Sequence, residues 1–413
     1  MAEGQTLREL CHISSESSDL FVGIRYIQGA PSVFFPHGFR FSDNDKECRK
    51  DILSLLSILK RFSDLRDGEG VKIGSKELSA FPIAAYQYII YDFLRKGYYS
   101  EKEIYFTQAA RGKIHWKQTI QREKPMMDGE NVIYTKFQAR NSRVKEHDLL
   151  AQIHRYCVYQ SFNMLGWLYS LSEDSLEKPL LAFNKDYFLH SLSQALNNTF
   201  DDAKRKLFQS MIQIISVWTE GVDGKNLDLG VTHFAPIWEK LVDCIFGTVT
   251  KVNDHFPKAI WHLLDCPRPS DSSTLKPDTI MSHGNSCYII DAKYYKYGIT
   301  KSLTDLPSTS SIQKQITYGK HIATYPDTVI YNAFIMPFDS EDSVEMMKAI
   351  AVSTVSWEKY NKQTENYKYI LGVLLDTKWT IQNYQSKNDD AISALSSLIE
   401  TTLIEFRHSF DKD

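Results

Sequence analysis

The feature that most constrains this chain is a pair of opposite charges set inside an apolar strand. Lys276-Pro277-Asp278-Thr279-Ile280-Met281-Ser282 leads through His283-Gly284-Asn285-Ser286 into Cys287-Tyr288-Ile289-Ile290-Asp291-Ala292-Lys293-Tyr294. The run reads as strand, turn, strand. A strand's period of two puts Ile289, Asp291 and Lys293 on one face, and Tyr288, Ile290 and Ala292 on the other. Asp291 and Lys293 are therefore neighbours, and a hairpin brings Asp278 close to both. Buried charge is costly unless it is paired or bound to metal. The bland alternative is an Asp–Lys ion pair at a strand end, with Pro277-Asp278 as an ordinary turn.

Two carboxylates held together repel each other and are natural ligands for a hard divalent cation, normally Mg²⁺, which keeps waters and binds phosphate oxygens. Such an ion polarises a phosphodiester and lowers the pKa of an attacking water. Lys293 would orient that water or offset charge developing on phosphate. Phosphodiester hydrolysis is the expected chemistry.

Composition narrows the field. The chain has 413 residues, 43% hydrophobic, with 48 Lys+Arg against 51 Asp+Glu for a net charge of −3. Disorder and coiled coil are excluded, two or three domains are favoured, and the sum gives no global attraction to nucleic acid. Cys11, Cys48, Cys157, Cys244, Cys266 and Cys287 form no C-x-x-C pair, so neither a disulfide framework nor a zinc knuckle is expected. The opening MAEGQTLREL lacks a basic n-region and an apolar h-region, and no apolar run reaches about 18 residues, so a cytoplasmic, non-membrane protein is expected. There is no G-x-x-x-x-G-K-[ST] loop, so no nucleotide is expected on this chain itself. Neither H-E-x-x-H nor G-x-S-x-G occurs. His283 reads as a surface residue, His321 as packed or solvated, and Cys287 as a small inward hydrophobe.

Along the chain, Leu20–Tyr26 and Ser32–Phe35 read as strands, and Ile52, Leu55, Leu56, Leu59 and Phe62 mark a helix that Asp67-Gly68-Glu69-Gly70 ends. A second helix runs from about Pro82 to Gly97, where glycine can adopt positive φ. Residues 112–117 and 132–137 alternate as strands do, and helices are expected at 146–170, 185–196 and 201–218. The Ser/Thr/Pro-rich stretches 267–274 and 302–311 read as loops. The final helix, about 388–408, carries Ile392, Leu395, Leu398, Ile399, Leu403 and Phe406 on one face. Between Arg111 and Lys145 nine Lys/Arg face three acids, a local net of +6. Arg111, Lys113, Lys117, Lys136, Arg140, Arg143 and Lys145, with Trp116 and Tyr134 nearby, form the candidate DNA- or partner-binding face.

Pro277-Asp278, twelve intervening residues and Asp291-Ala292-Lys293 resemble the PD-(D/E)xK nuclease superfamily. The resemblance implies a supporting glutamate on a preceding helix, which Glu239 in Pro236-Ile237-Trp238-Glu239-Lys240-Leu241-Val242 supplies. It also implies a following helix with Gln and Tyr at the site, matched by Gln315 and Tyr318. More narrowly, Arg111-Gly112-Lys113-Ile114-His115-Trp116-Lys117-Gln118-Thr119-Ile120, a basic strand region, a long helix and a C-terminal nuclease look like LlaJI-type restriction endonucleases and McrC-like nuclease subunits. The expected fold is α/β, a C-terminal PD-(D/E)xK restriction-endonuclease-like core with an N-terminal α+β module. Its segments are 1–145 for partner and DNA docking, 146–225 as a helical connector and 226–413 as the nuclease.

The implied function is Mg²⁺-dependent endonucleolytic cleavage of DNA in a bacterial restriction (defence) system, with Mn²⁺ as a substitute and an AAA+ GTPase as partner. Asp278 and Asp291 would bind metal, Lys293 would act on water and phosphate, and Glu239 and Gln315 would support the site. A homo-oligomer would supply the two active sites that cutting both strands requires. A self-sufficient type II endonuclease and a non-catalytic DNA-binding or assembly subunit stay open as alternatives.

Overall fold

The computed structural model describes residues 6–14, 21–64, 82–108, 113–145, 148–169, 176–217, 227–249, 258–262, 264, 270–274, 276–323, 328–340, 345–360 and 364–409. The expected break at Asp67–Gly70 lies outside them. Contacts divide the chain into two compact units, 1–79 with 225–413, and 80–224. In chain order the first unit opens with β1 (Cys11–Ile13), β2 (Val22–Ile27), β3 (Ala30–Phe35) and α1 (Asp45–Asp64). The second unit holds α2 (Ile83–Lys96), β4 (Glu101–Gln108), α3 (Trp116–Arg122), β5 (Met126–Asp128), β6 (Asn131–Ile133), β7 (Gln138–Lys145), α4 (Leu149–Leu165), α5 (Lys185–Asn198) and α6 (Asp202–Val217). The first unit resumes with β8 (Leu227–Val231), α7 (Ala235–Phe246), β9 (Lys258–Trp261), β10 (Ser270–Thr274), β11 (Thr279–His283), β12 (Ser286–Ala292) and α8 (Tyr297–Thr300). It closes with α9 (Thr309–Ile322), β13 (Val329–Phe338), β14 (Met347–Ser353), β15 (Ile370–Asp376), α10 (Thr377–Asn383) and α11 (Asp389–Ser409).

The class is mixed α/β, as expected. In the first unit a five-stranded sheet runs β11-β12-β13-β15-β14. Its three central strands are parallel, and β11 and β14 flank them antiparallel. Parallel strands need a crossover, which α8 and α9 provide between β12 and β13. Covered on both faces, β13 and β15 are near-continuous apolar runs. From α7 the fully buried Trp238 packs down and donates Nε1–H to Ile335 O at 3.4 Å. Emptying such a site to alanine costs about 3–5 kcal/mol.

A four-stranded sheet, β1-β3-β2-β8, belongs to the same unit. Here the expected segments and the contact grouping differ: β8 follows the 225/226 cut, yet it pairs antiparallel with β2 from the N-terminal segment. That pairing, with an Arg25–Asp228 ion pair at 2.9 Å, binds chain ends far apart in sequence into one body. Residues 80–224 are a separate unit of helices α2–α6, the β4–β7 pair and the β5–β6 hairpin.

Most expected elements are present: α2 ends at Gly97 with φ +76°, and α11 buries Ile392, Leu395, Ile399 and Leu403. Three local expectations are corrected: of 132–137 only Val132 and Ile133 lie in a strand, β6, and residues 134–137 form a bend before β7. Of the strand expected at 112–117, residues 113–117 do not form one; Ile114 makes one isolated bridge, and α3 begins at Trp116 because His115 Nδ1 accepts the Gln118 N–H at 3.3 Å and caps it. The 267–274 stretch is not all loop, since 270–274 pairs with β9. No helix among the described residues is long and apolar enough to cross a membrane.

Candidate active site

The β11–β12 register pairs Thr279 with Ile290, which sets Asp278, one residue before β11, beside the end of β12. Asp278 Oδ2 accepts the Ala292 N–H at 2.9 Å. Past the last β12 residue, Lys293 N–H still donates to Ile335 O at 2.8 Å, so the parallel ladder continues and the side-chain alternation is kept. Lys293 Nζ pairs with Asp291 Oδ2. The expected juxtaposition of Asp278, Asp291 and Lys293 is therefore present.

Asp291 is 2% exposed, and its other oxygen, Oδ1, has no hydrogen-bond partner among the described residues. Leaving such an atom unsatisfied costs about 1–3 kcal/mol, more for a charged group. Burial first, then Asp291 and Glu239, push the Asp278 carboxyl up to about 8, against the opposing pull of Lys293 and the Ala292 N–H. Burial likewise raises Glu239 on α7; Lys293 lowers it and Asp291 raises it further. For Lys293, burial acts downward but is outweighed by the charge and hydrogen bond of Asp291 and the charge of Asp278, and the net shift is upward.

From α9, Gln315 Nε2 donates to Ile289 O at 2.7 Å and to Asn332 Oδ1 at 3.3 Å, while its own Oε1 is buried without a partner among the described residues. Tyr318, one turn on, donates its hydroxyl to Lys276 O at 2.7 Å. Asn332 was not foreseen: fully buried in β13, it donates Nδ2–H to Gln315 O at 3.1 Å and to Tyr367 O at 2.6 Å, tying α9 to the sheet. A polar residue inside the apolar run Val329–Phe338 carries the same signal as Asp291 and could have been read. Cys287 is buried, its thiol raised by burial to about 11, and His283 is exposed with Ser393 and Ser396 beside its ring.

Among the described residues, no three His, Cys, Asp or Glu side chains are grouped so as to hold a metal ion. The donor chemistry nevertheless suits Mg²⁺, which uses one or two carboxylates and fills its other positions with water and phosphate oxygens. The unpartnered Asp291 Oδ1 and the raised Asp278 are what such an ion would relieve.

The basic face is only partly described. Lys113, Lys117, Lys136 and Arg140 are exposed on the second unit. Arg143 and Lys145 lie on β7, and Arg111 falls outside the described residues.

One solved structure similar to the chain is the refined half-complex from a tetradecameric assembly of Thermococcus gammatolerans McrB AAA+ hexamers with bound McrC. The match has 13% identity, covers 88% of this chain and 81% of that one, and has a TM-score of 0.39. At that score no shared fold is established. No curated protein is similar enough to the chain to count as a match. The family model of the LlaJI restriction endonucleases does match, over residues 21–360 and thus across Asp278, Asp291 and Lys293, and the chain belongs to that family.

Proposed function

We propose that the chain is the Mg²⁺-dependent DNA endonuclease subunit of a restriction system, with a PD-(D/E)xK core around β11, β12 and α9, working with an AAA+ GTPase partner. The observation that carries the reading is the buried Asp291, paired through one oxygen with Lys293, open at the other, and placed beside Asp278. Membership of the LlaJI family supports the restriction role. The lack of a phosphate loop supports a separate nucleotide-hydrolysing partner. The exposed basic residues of the second unit support contact with DNA or that partner.

In this reading Asp278 and Asp291 hold the divalent ion, Mg²⁺ or in substitution Mn²⁺. When bound, the ion polarises the scissile phosphodiester and lowers the pKa of an attacking water. Lys293 leaves its ion pair far enough to orient that water and to meet negative charge growing on the phosphate. Glu239, raised by burial, accepts a hydrogen bond or a proton at the rim. Gln315, anchored through Ile289 O and Asn332, keeps Oε1 available to the water network.

The test is supercoiled-plasmid nicking and linearisation by wild type and Asp291→Ala, with Mg²⁺ or EDTA, and with or without a candidate GTPase and GTP. Metal-dependent cutting that Asp291→Ala abolishes is expected. Cutting that needs neither partner nor GTP moves the assignment to a self-sufficient endonuclease. An Asp291→Ala variant that cuts like wild type removes the catalytic assignment and leaves a non-catalytic assembly subunit.

A further inference from the structure

We propose that His37, in the turn after β3, is a positioning residue that aligns Lys293 by clamping Tyr294; the inference rests on the nuclease reading above. His37 and Tyr294 are 257 residues apart in sequence and belong to the same compact unit. The His37 backbone N–H donates to the Tyr294 hydroxyl at 2.9 Å, and the two rings lie 3.8 Å apart. His37 Nε2 lies 3.2 Å from Tyr295 O, which only accepts, so that nitrogen carries the proton. Both residues that follow Lys293 are thus held by one turn.

The turn has little freedom of its own. Thr377 Oγ1 donates to His37 O at 3.3 Å. Gly38 has φ +75°, and a Cβ there would meet Thr377 Oγ1 at 2.8 Å and Phe338 backbone at 3.0 Å. Only glycine fits this close approach, and it pins the turn to the end of β13 and the start of α10.

On its other side Tyr294 faces Phe234 and Trp238, with ring centroids at 5.4 and 6.4 Å. Trp238 precedes Glu239, and its Nε1–H reaches Ile335 O, the same carbonyl that receives the Lys293 N–H. Tyr294 therefore stands between the segment bearing Lys293 and the helix bearing Glu239. A lysine on a four-carbon stem has many accessible rotamers. Its ammonium can move from Asp291 to water or phosphate without losing aim only if its backbone stays fixed. The clamp supplies that fixity, and it comes from the N-terminal segment.

The experiment uses the full chain with its GTPase partner, GTP, Mg²⁺ and plasmid DNA. It compares wild type, His37→Ala, His37→Gln and Tyr294→Phe by kcat, KM, melting temperature and hydrogen exchange of the 289–296 peptide. Supporting groups around a reactive centre are typically worth about 10–100-fold. His37→Ala should lower kcat about tenfold, leave KM within about twofold and speed exchange at Lys293. His37→Gln, which keeps a donor for Tyr295 O, should restore most of kcat. Should His37→Ala fail to fold, Tyr294→Phe decides, since it keeps the ring and loses only the hydroxyl that accepts the His37 N–H. Lower kcat at unchanged melting temperature upholds the clamp, and wild-type kcat overturns it. Equal impairment of His37→Ala and His37→Gln, or a loss carried by KM, also overturns it. Wild type that cuts while the variants are unimpaired sinks this inference alone; wild type that never cuts sinks the nuclease reading and this inference with it.

Discussion

In the β11–β12 hairpin a charged group is buried, Asp291 at 2% exposure, with the half-buried Lys293 and Asp278 against it. In the β5–β6 hairpin apolar groups are exposed: Met126, Met127, Val132 and Ile133 range from 43% to 66%, and their register pairs Met126 with Ile133 and Met127 with Val132. The two hairpins invert the usual partition in opposite senses. A two-stranded ribbon is marginal alone, and a buried unpaired carboxylate oxygen is costly alone. In the proposed reading each arrangement is completed from outside, by a cation and phosphate in the first case and by a macromolecular surface in the second.

The largest test of that contrast is Asp291→Ala. Removing one preorganised electrostatic group at a reaction centre costs about 10²–10³-fold, and plasmid linearisation should fall by about 10³-fold. Cleavage that survives breaks the comparison on its charged side.

Acid treats both units alike and so checks that their contrast is local. His37 in the first unit and His154 in the second are buried and lowered, mainly by burial, to about 4. Unfolded histidine takes its proton near 6.5, so between about 6.5 and 4 the unfolded chain binds more protons. Stability is full above about 6.5 and falls as pH drops through that window, by up to roughly 3 kcal/mol per histidine. Melting temperature against pH should show it, and His154→Gln should flatten the second unit's share. A melting temperature that holds steady from pH 7 to about 4.5 would mean that both rings are hydrated.

Metal binding sharpens the charged side further. In the proposed site, with Asp278 raised to about 8, Mg²⁺ would displace a proton at neutral pH, and its affinity should fall about tenfold per pH unit below that value. Calorimetry in two buffers of different ionisation enthalpy reads the released proton. Equal affinity at pH 6 and pH 8 would take Asp278 out of the ligand set.

The smallest effect belongs to the apolar hairpin. Met127→Lys should leave melting temperature unchanged, as surface changes do within about 0.5 kcal/mol. It should weaken partner-stimulated cleavage roughly fivefold, about 1 kcal/mol, the threshold of a contributing interface residue. Unchanged stimulation would leave the exposed residues without a role in docking.

Legibility followed the range of the interactions. The β12 alternation, the α2 stop at Gly97 and the α11 apolar face were readable because each depends on neighbours within a turn or two. The 112–117 segment alternates like a strand, but His115 caps α3, and a local side-chain hydrogen bond outweighed the pattern. Ser270–Thr274 has no apolar period at all; only β9 makes it a strand. His37 offered no local signal.

By itself the sequence determined that an acid and a lysine share one face of a strand with a second acid across a turn, because a period of two is backbone geometry. It did not determine that β2 would pair with β8, that His37 would reach Tyr294, or that Asn332 would meet Gln315. Those contacts join different elements, the first two across more than 200 positions of the chain. Their loop-closure entropy is offset only when whole sheets and helices pack at once, so the tertiary structure alone decided them.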